Sequence, residues 1–566
     1  MTTLTLNERR RLIRLVLDRT GRSVMSRVRY SPLVRWNFGA PVTDELLLVP
    51  QELRTADASF ADEVRLGLFG LDGTVATLGQ GSVFDISTPN DAWAKGLHGF
   101  GWLRHLAAAD TPHATEFATT VVGEWIARHG RRRGIAWLPE VVGRRVFSWL
   151  ANTNLIMKDA DPAFYDRFAD SLGDQIIHLS AHWRDAPGGL PRLVALIGLM
   201  TGAMCTAGHE RLAERMVSEL VAELRHQIHA DGGHVSRNPR TVVELLLDLL
   251  PLQTCFKARE HALPAEIEET VERMLRFVQY MRLGDGSLGR FNGMAATPFD
   301  ALATLVAYVA DDVEPLMTAD PSGYARLAQG GAIVLVDAGS PPDIEFAAAA
   351  CAGCLSFEIS VNQIPIFVNG GAPGPADQDW LSQSRATASH NTLVLGAKSS
   401  SKIIRQRTLE KLIGGAPIRQ PDDVSFEVFN DNDAIAIDCR HNGYHKQFGL
   451  EHKRRMRLDK GGQWLEGRDQ ISSPKQQVRL PRDVPFSIHF HLHPDVRCNG
   501  HVSPETIRIK LPDQSNWIFS ADDATVSIED SVYYADRVGP TKSQQIVLRG
   551  TCFGDKTIDW RLEVDD

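Results

Sequence analysis

The chain has 566 residues, and because single hydrophobic cores stop growing at roughly 250 to 300 residues, two large domains are expected. Hydrophobic residues make up 43% and charged residues 23%, ordinary proportions that exclude a disordered or membrane-embedded class. A formal net charge of −9 argues against general nucleic-acid binding.

The N-terminal stretch MTTLTLNERRRLIRLVLDRTGR sets Leu12, Ile13, Leu15, Val16 and Leu17 among arginines. It lacks the unbroken apolar run and cleavage site of a secretory signal, so a cytoplasmic location is expected. The stretch reads as a helix packed by one face, with a membrane-surface anchor as the sharper alternative. No run of about 18 apolar residues occurs, so no transmembrane segment is expected. Residues 1–84 as a whole are of mixed texture and are expected to pack on the helical domain that follows.

Over residues 85–315 apolar residues recur at spacings of three and four, as in DPAFYDRFADSLGDQIIHLSAHW and RTVVELLLDLLPLQTCFKA, which predicts successive helices. Helix punctuation divides them: Pro187-Gly188-Gly189, Ala207-Gly208, Asp231-Gly232-Gly233 and Asn238-Pro239. Helices with short connectors and no strand between them imply antiparallel pairs, closing into a ring or stacking as a solenoid. The basic run from Arg128 to Arg133 reads as a solvated helix end, with an anionic ligand as the alternative.

Over residues 316–566 the texture changes to short β-branched and aromatic runs, among them GAIVLVDAG, CLSFEISV, IPIFVNGG, AIAIDC and FSIHFHLHP, divided by Gly, Asn, Asp and Pro. Strands at roughly ten-residue spacing without helices between them predict an antiparallel β-sandwich. The fold class expected is therefore multidomain α+β, a helical half followed by a sandwich. Seven scattered cysteines do not form a disulfide framework. Cys351 and Cys354 make a lone C-x-x-C, and no metal or other cofactor is expected.

Four phrases, in order, resemble the heparinase II/III-like group of polysaccharide lyases: DAWAKGLHGFGWLRHL (91–106), DGGHVSRNP (231–239), CLSFEISVNQIPIFVNGG with RATASHNTLVL (354–395), and RHNGYHKQFGLEHKRRMRL (440–458). The resemblance implies an (α/α) toroid joined to the sandwich, with a substrate cleft where they meet and an acidic glycan as partner. It implies β-elimination: one group neutralises a uronate carboxylate, a base takes the C5 proton, and an acid protonates the leaving oxygen. A homo-oligomer is compatible with this plan.

The residues that suit such chemistry are few. His234 and Asn238, in a Gly-rich loop, and His390, in the His-Asn-Thr phrase, are the catalytic candidates. Arg237, Arg290, Asn292 and Arg385 are candidates to hold carboxylates or hydroxyls, and His98, Trp102 and Trp137 to stack on sugars. Each has a plain structural alternative: helix capping for the loop residues, a structural turn for Arg290 and Asn292, core packing for the tryptophans. His489, His491 and His493 alternate on one expected strand face and read as a polar face or a metal site, and Tyr444 reads as hairpin packing, with an acid or base role as the alternative. The sequence also departs from the lyases, which carry His-x-His-x-Asp and V-D-P-G phrases where this chain has Ala349, Cys351, Gly353 and Asn369. Two functions are therefore expected: a divergent, metal-independent lyase, or a glycan-binding or scaffolding relative without elimination activity. Hydrolysis by Asp231 and Asp285 is a third, minor option.

Overall fold

The computed structural model describes residues 5–29, 45–79, 81–130, 134–309, 316–404, 409, 413–473 and 483–565. Residues 310–315, on one side of the expected domain junction, and Arg131 to Arg133 of the basic run lie outside the described residues. Arg128, the first of that run, pairs with Asp85 at 2.7 Å on the surface.

The helical half runs from Asp91–Gly99 to Phe299–Val306. Its centre is the helix Leu190–Cys205, which is buried on every face from Leu193 onward, as an apolar sequence without a polar stripe requires. It meets Pro139–Ala151 at very short range because both helices carry glycine at the crossing. A Cβ on Gly198 would fall 2.4 Å from the Gly143 carbonyl oxygen. Residues before the first toroid helix add a hairpin, Leu68–Leu71 with Thr74–Thr77, turned at Asp72 and Gly73, both with positive φ, as a two-residue Asp-Gly loop favours.

In the C-terminal half, all strand pairs are antiparallel. One layer is an eight-stranded sheet ordered Arg497–Ser503, Thr506–Lys510, Asn516–Ala521, Lys556–Val564, Trp464–Ser472, Glu451–Asp459, Ala434–His441 and Val424–Asp431. The facing layer joins two four-stranded sheets through a bridge between Phe367 and Leu492. Phe357, Phe367, Phe490, Phe519 and Trp560 pack between the layers, for example Phe490 on Phe519 at 4.8 Å. The strand Glu451–Asp459 shows the period-two logic: Lys453 and Arg455 are exposed, whereas His452, Arg454 and Met456 are buried. The buried charges are tolerated because Asp469 accepts from His452 Nε2 at 2.6 Å, Arg454 Nε at 2.8 Å and Trp560 Nε1 at 2.8 Å, in line with the rule that buried charge must be paired.

The N-terminal segment divides its contacts, which corrects the expectation that all of it packs on the helical domain. Leu53, Phe60 and Phe69 do join the helical core. The helix Leu6–Arg29 instead docks later in the chain: Leu15 packs with Ala347, Ala350, Ile413 and Ile418, and Glu8 pairs with Lys402 at 2.9 Å and Arg419 at 3.8 Å. A buried carboxylate among arginines on one helix finds its cationic partners there. Leu6, Ile13 and Leu17 stay 67%, 57% and 63% exposed. Among the described residues no helix is long and apolar enough to cross a membrane.

Candidate functional site

The two Gly-rich turns of the helical half do gather on one side, and they press into the first sheet of the sandwich. A Cβ on Gly233 would fall 1.9 Å from Ser322 Oγ, and one on Gly284 would fall 1.6 Å from the Asn362 carbonyl oxygen. Glycine at these positions serves close approach between the domains.

The polar residues of these turns are spent on the same contact. Arg237, with φ +58, reaches Asp337 at 2.6 Å and donates to the carbonyls of Ser322 and Gly323 at 2.8 Å and of Gly339 and Ser340 at 3.1 Å. Asn292 donates to Tyr324 Oη at 3.1 Å and to Asp337 Oδ2 at 3.3 Å. Arg290 pairs with Glu358 at 3.2 Å and donates to Tyr533 Oη at 2.6 Å. Burial pushes the Asp337 and Glu358 carboxyls up while their arginines pull them down. Asn238 caps the helix Pro239–Ala258, accepting from Arg240 N at 2.9 Å.

His234 is buried, and its tautomer follows from its neighbours. Ser236 N donates to Nδ1 at 3.0 Å, so Nδ1 is the acceptor and Nε2–H donates to Gln227 Oε1 at 2.9 Å. Burial, with His229 nearby, pushes its pKa down to about 3. His390 is also buried, and burial lowers it to about 4. Its Nδ1–H donates to the Ala386 carbonyl at 2.8 Å, which leaves Nε2 as the basic nitrogen, with no protein hydrogen bond among the described residues.

Between these two histidines lies the segment 346–353. Phe346 sets its edge against the rings of His234 and His226, at 6.3 and 5.6 Å. Ala349 abuts Gly293, where an added Cβ would stand 2.7 Å away. Arg385 donates from Nε to the Ala350 carbonyl at 2.9 Å and from Nη2 to Gly415 at 2.7 Å, while its own carbonyl takes Ala352 N at 2.9 Å. Gly353 faces the His390 ring, 2.6 Å from an ideal Cβ. Residues 346–353 thus occupy ground between the His234 loop and the His390 strand.

The expected stacking platform is helical core. His98, Trp102 and Trp137 are 7%, 2% and 3% exposed. His98 lies flat on Phe84 and accepts from Trp125 Nε1 at 3.2 Å, Trp102 donates to the Leu97 carbonyl and Trp137 to that of His129. Of the strand histidines, His489 bonds Ser487 and Gln545, and His491 bonds Ser531 and the Ala388 carbonyl. Among the described residues no group of three or more His, Cys, Asp or Glu could hold a metal ion. Tyr444 is buried and donates to the Leu393 carbonyl at 2.6 Å. Asp231 accepts from Ser322 N and Oγ, and Asp285 from Ser287 N and Oγ. Sequence reasoning missed Asp337 and Glu358, although an acid inside the apolar runs IVLVDAG and LSFEISV signals a buried charge that must have a partner.

A helical domain socketed on an antiparallel sandwich in this manner is the architecture of toroid-type polysaccharide lyases. Residues 312–561 match the family model described as Heparinase II/III-like, C-terminal. A crystal structure of heparinase III superposes with a TM-score of 0.69 at 14% identity, covering 95% of this chain and 88% of that one. Heparan sulfate lyase HepC from Pedobacter heparinus gives 0.59 at 16%, covering 92% and 85%. FtsZ-localized protein C of Caulobacter vibrioides (strain NA1000 / CB15N) is 29% identical over 527 residues, 91% of this chain and 89% of that protein.

Proposed function

We propose that this chain is a cytoplasmic glycan-binding or scaffolding member of the heparinase II/III-like family that does not carry out β-elimination. The observation that carries this reading is the commitment of its polar candidates to the protein itself. A lyase must offer a cation or amide to the uronate carboxylate, yet Arg237 and Arg290 face buried Asp337 and Glu358, and Arg385 holds backbone carbonyls. His234 accepts from Ser236 N through its basic nitrogen. The name of the relative, FtsZ-localized protein C, marks a place of action and not a substrate, which suits a scaffold. Seven free cysteines suit a reducing compartment.

A second reading, a divergent metal-independent lyase, is favoured by one observation: His390 keeps an unengaged Nε2 opposite a bonded Nδ1, the arrangement of a neutral general base. Ultraviolet absorbance separates the two, because elimination leaves a double bond conjugated to the carboxylate. Incubation with a panel of uronate-containing glycans is expected to give a flat trace. A rise that His390→Ala abolishes would overturn the first reading and establish the second.

A further inference from the structure

Trp102 and Trp137 are core, yet a different set of rings does face solvent where the two halves meet. Trp380 is 40% exposed and Phe299 41%. A lone exposed ring is ordinary, whereas rings gathered from distant segments mark a surface that something covers. Three segments supply them: Phe299 opens the helix Phe299–Val306, Trp380 closes the short helical turn Pro375–Trp380, and Tyr534 follows the strand Thr525–Tyr533. The Trp380 and Tyr534 rings lie 5.9 Å apart, and the Arg537 guanidinium sits 5.4 Å over the Phe299 ring. Gly539 ties this loop to the turn, since a Cβ there would stand 3.4 Å from Asp377 Oδ2. Ala376 in turn rests on the Asp72-Gly73 hairpin, 3.5 Å from an ideal Gly73 Cβ.

Backbone bonds fix the cluster beside His390. Tyr534 N donates to the Gly370 carbonyl at 2.8 Å, and Gly370 N donates to the carbonyl of Ser389, its chain neighbour, at 3.0 Å. The polar side chains around the rings are within reach of solvent. Asp379 and Arg537 are exposed and Asp377 is half-buried, and none of the three side chains has a hydrogen bond or ion pair among the described residues.

Together these groups have the chemistry of a sugar site. A pyranose presents an apolar C–H face that stacks on an indole, and its hydroxyls donate to carboxylates and accept from a guanidinium. The charge decides which sugar. Two free carboxylates against one guanidinium leave the surface net negative, so a uronate or sulfated ring meets repulsion where an uncharged ring meets acceptors. We propose that Trp380, backed by Tyr534 and flanked by Asp377, Asp379 and Arg537, is a binding platform for an uncharged sugar of an oligosaccharide chain. The inference rests on the glycan-binding reading above and narrows its ligand from acidic to neutral. Because Phe299 and Arg537 continue the surface onto the helical half, a bound chain bridges the two domains.

Isothermal titration of the full-length chain with three hexasaccharides tests this: cellohexaose and chitohexaose, both uncharged, and the heparosan hexasaccharide, in which every second ring is a glucuronate. Cellohexaose or chitohexaose is expected to bind, with the heparosan hexasaccharide at least about ten-fold weaker. Trp380→Ala, checked for a wild-type circular dichroism spectrum, should weaken the better binder at least about ten-fold, and Trp380→Phe should restore most of the loss. Heparosan binding as tight as that of the neutral probes, or undiminished affinity in Trp380→Ala, overturns the platform and leaves the glycan-binding reading standing. Failure of all three hexasaccharides to bind overturns both. Dimerisation in sedimentation velocity that Trp380→Ala abolishes would assign the rings to a second copy of the chain and overturn the proposal.

Discussion

Replacing Arg237 by Met tests whether the Gly-rich turn is a domain anchor or a ligand contact. Met keeps most of the side-chain volume and removes every donor. It strands Asp337 in a buried position and strips donors from the carbonyls of Ser322, Gly323, Gly339 and Ser340. Breaking a buried ion pair from one side costs about 3–5 kcal/mol, and some of the orphaned carbonyls add to that, so about 4 kcal/mol or more is expected. At about 2–4 °C per kcal/mol for domains of this size, the first thermal transition should fall by roughly 8–16 °C. Adding Asp337→Asn removes the uncompensated charge and should recover about 2 kcal/mol, a coupling expected only between groups in direct contact. A loss below about 1 kcal/mol in Arg237→Met, or no recovery in the double variant, would refute the anchor role.

Two further outcomes follow from packing and burial. Gly198→Ala drives a Cβ to 2.4 Å from the Gly143 carbonyl and should cost about 1–3 kcal/mol by overpacking, read as a lowered urea midpoint; an unchanged midpoint would mean that the two helices separate freely. Burial lowers His98, His234 and His491 to about 3 and His390 to about 4, so between those values and about 6.5 the unfolded chain binds more protons than the folded one. Stability should therefore fall as pH drops below about 6.5, by up to roughly 2 kcal/mol per ring at pH 5. Urea unfolding between pH 7.5 and 5 should show that slope, reduced by about one proton in His491→Gln, and a flat profile would contradict it.

The order of the fold was legible because its signals are local. Helical periodicity, Gly and Pro punctuation and short β-branched runs lie within windows of ten to twenty residues, and the Asp72-Gly73 hairpin is readable by the same rule even though the segment around it is of mixed texture. Residue types were also informative: His234, Arg237 and Arg290 do lie where the halves meet. Their partners were not legible, since Arg237 and Asp337 are 100 residues apart, and a buried guanidinium reads the same in sequence whether it awaits a substrate carboxylate or already holds a protein one. Trp102 and Trp137 were similarly ambiguous until burial separated core packing from an open platform. The docking of the first helix on the sandwich left no local trace at all.

That docking has a consequence in time. Glu8 and Lys402 are 394 positions apart, so at a synthesis rate of roughly 5–20 residues per second the helix leaves the ribosome about 20–80 s before its partner exists. Its arginines and leucines wait through that interval without their final cover. Glu8 and Leu15, the buried positions of that helix, gain their final cover only when residues 402–419 emerge.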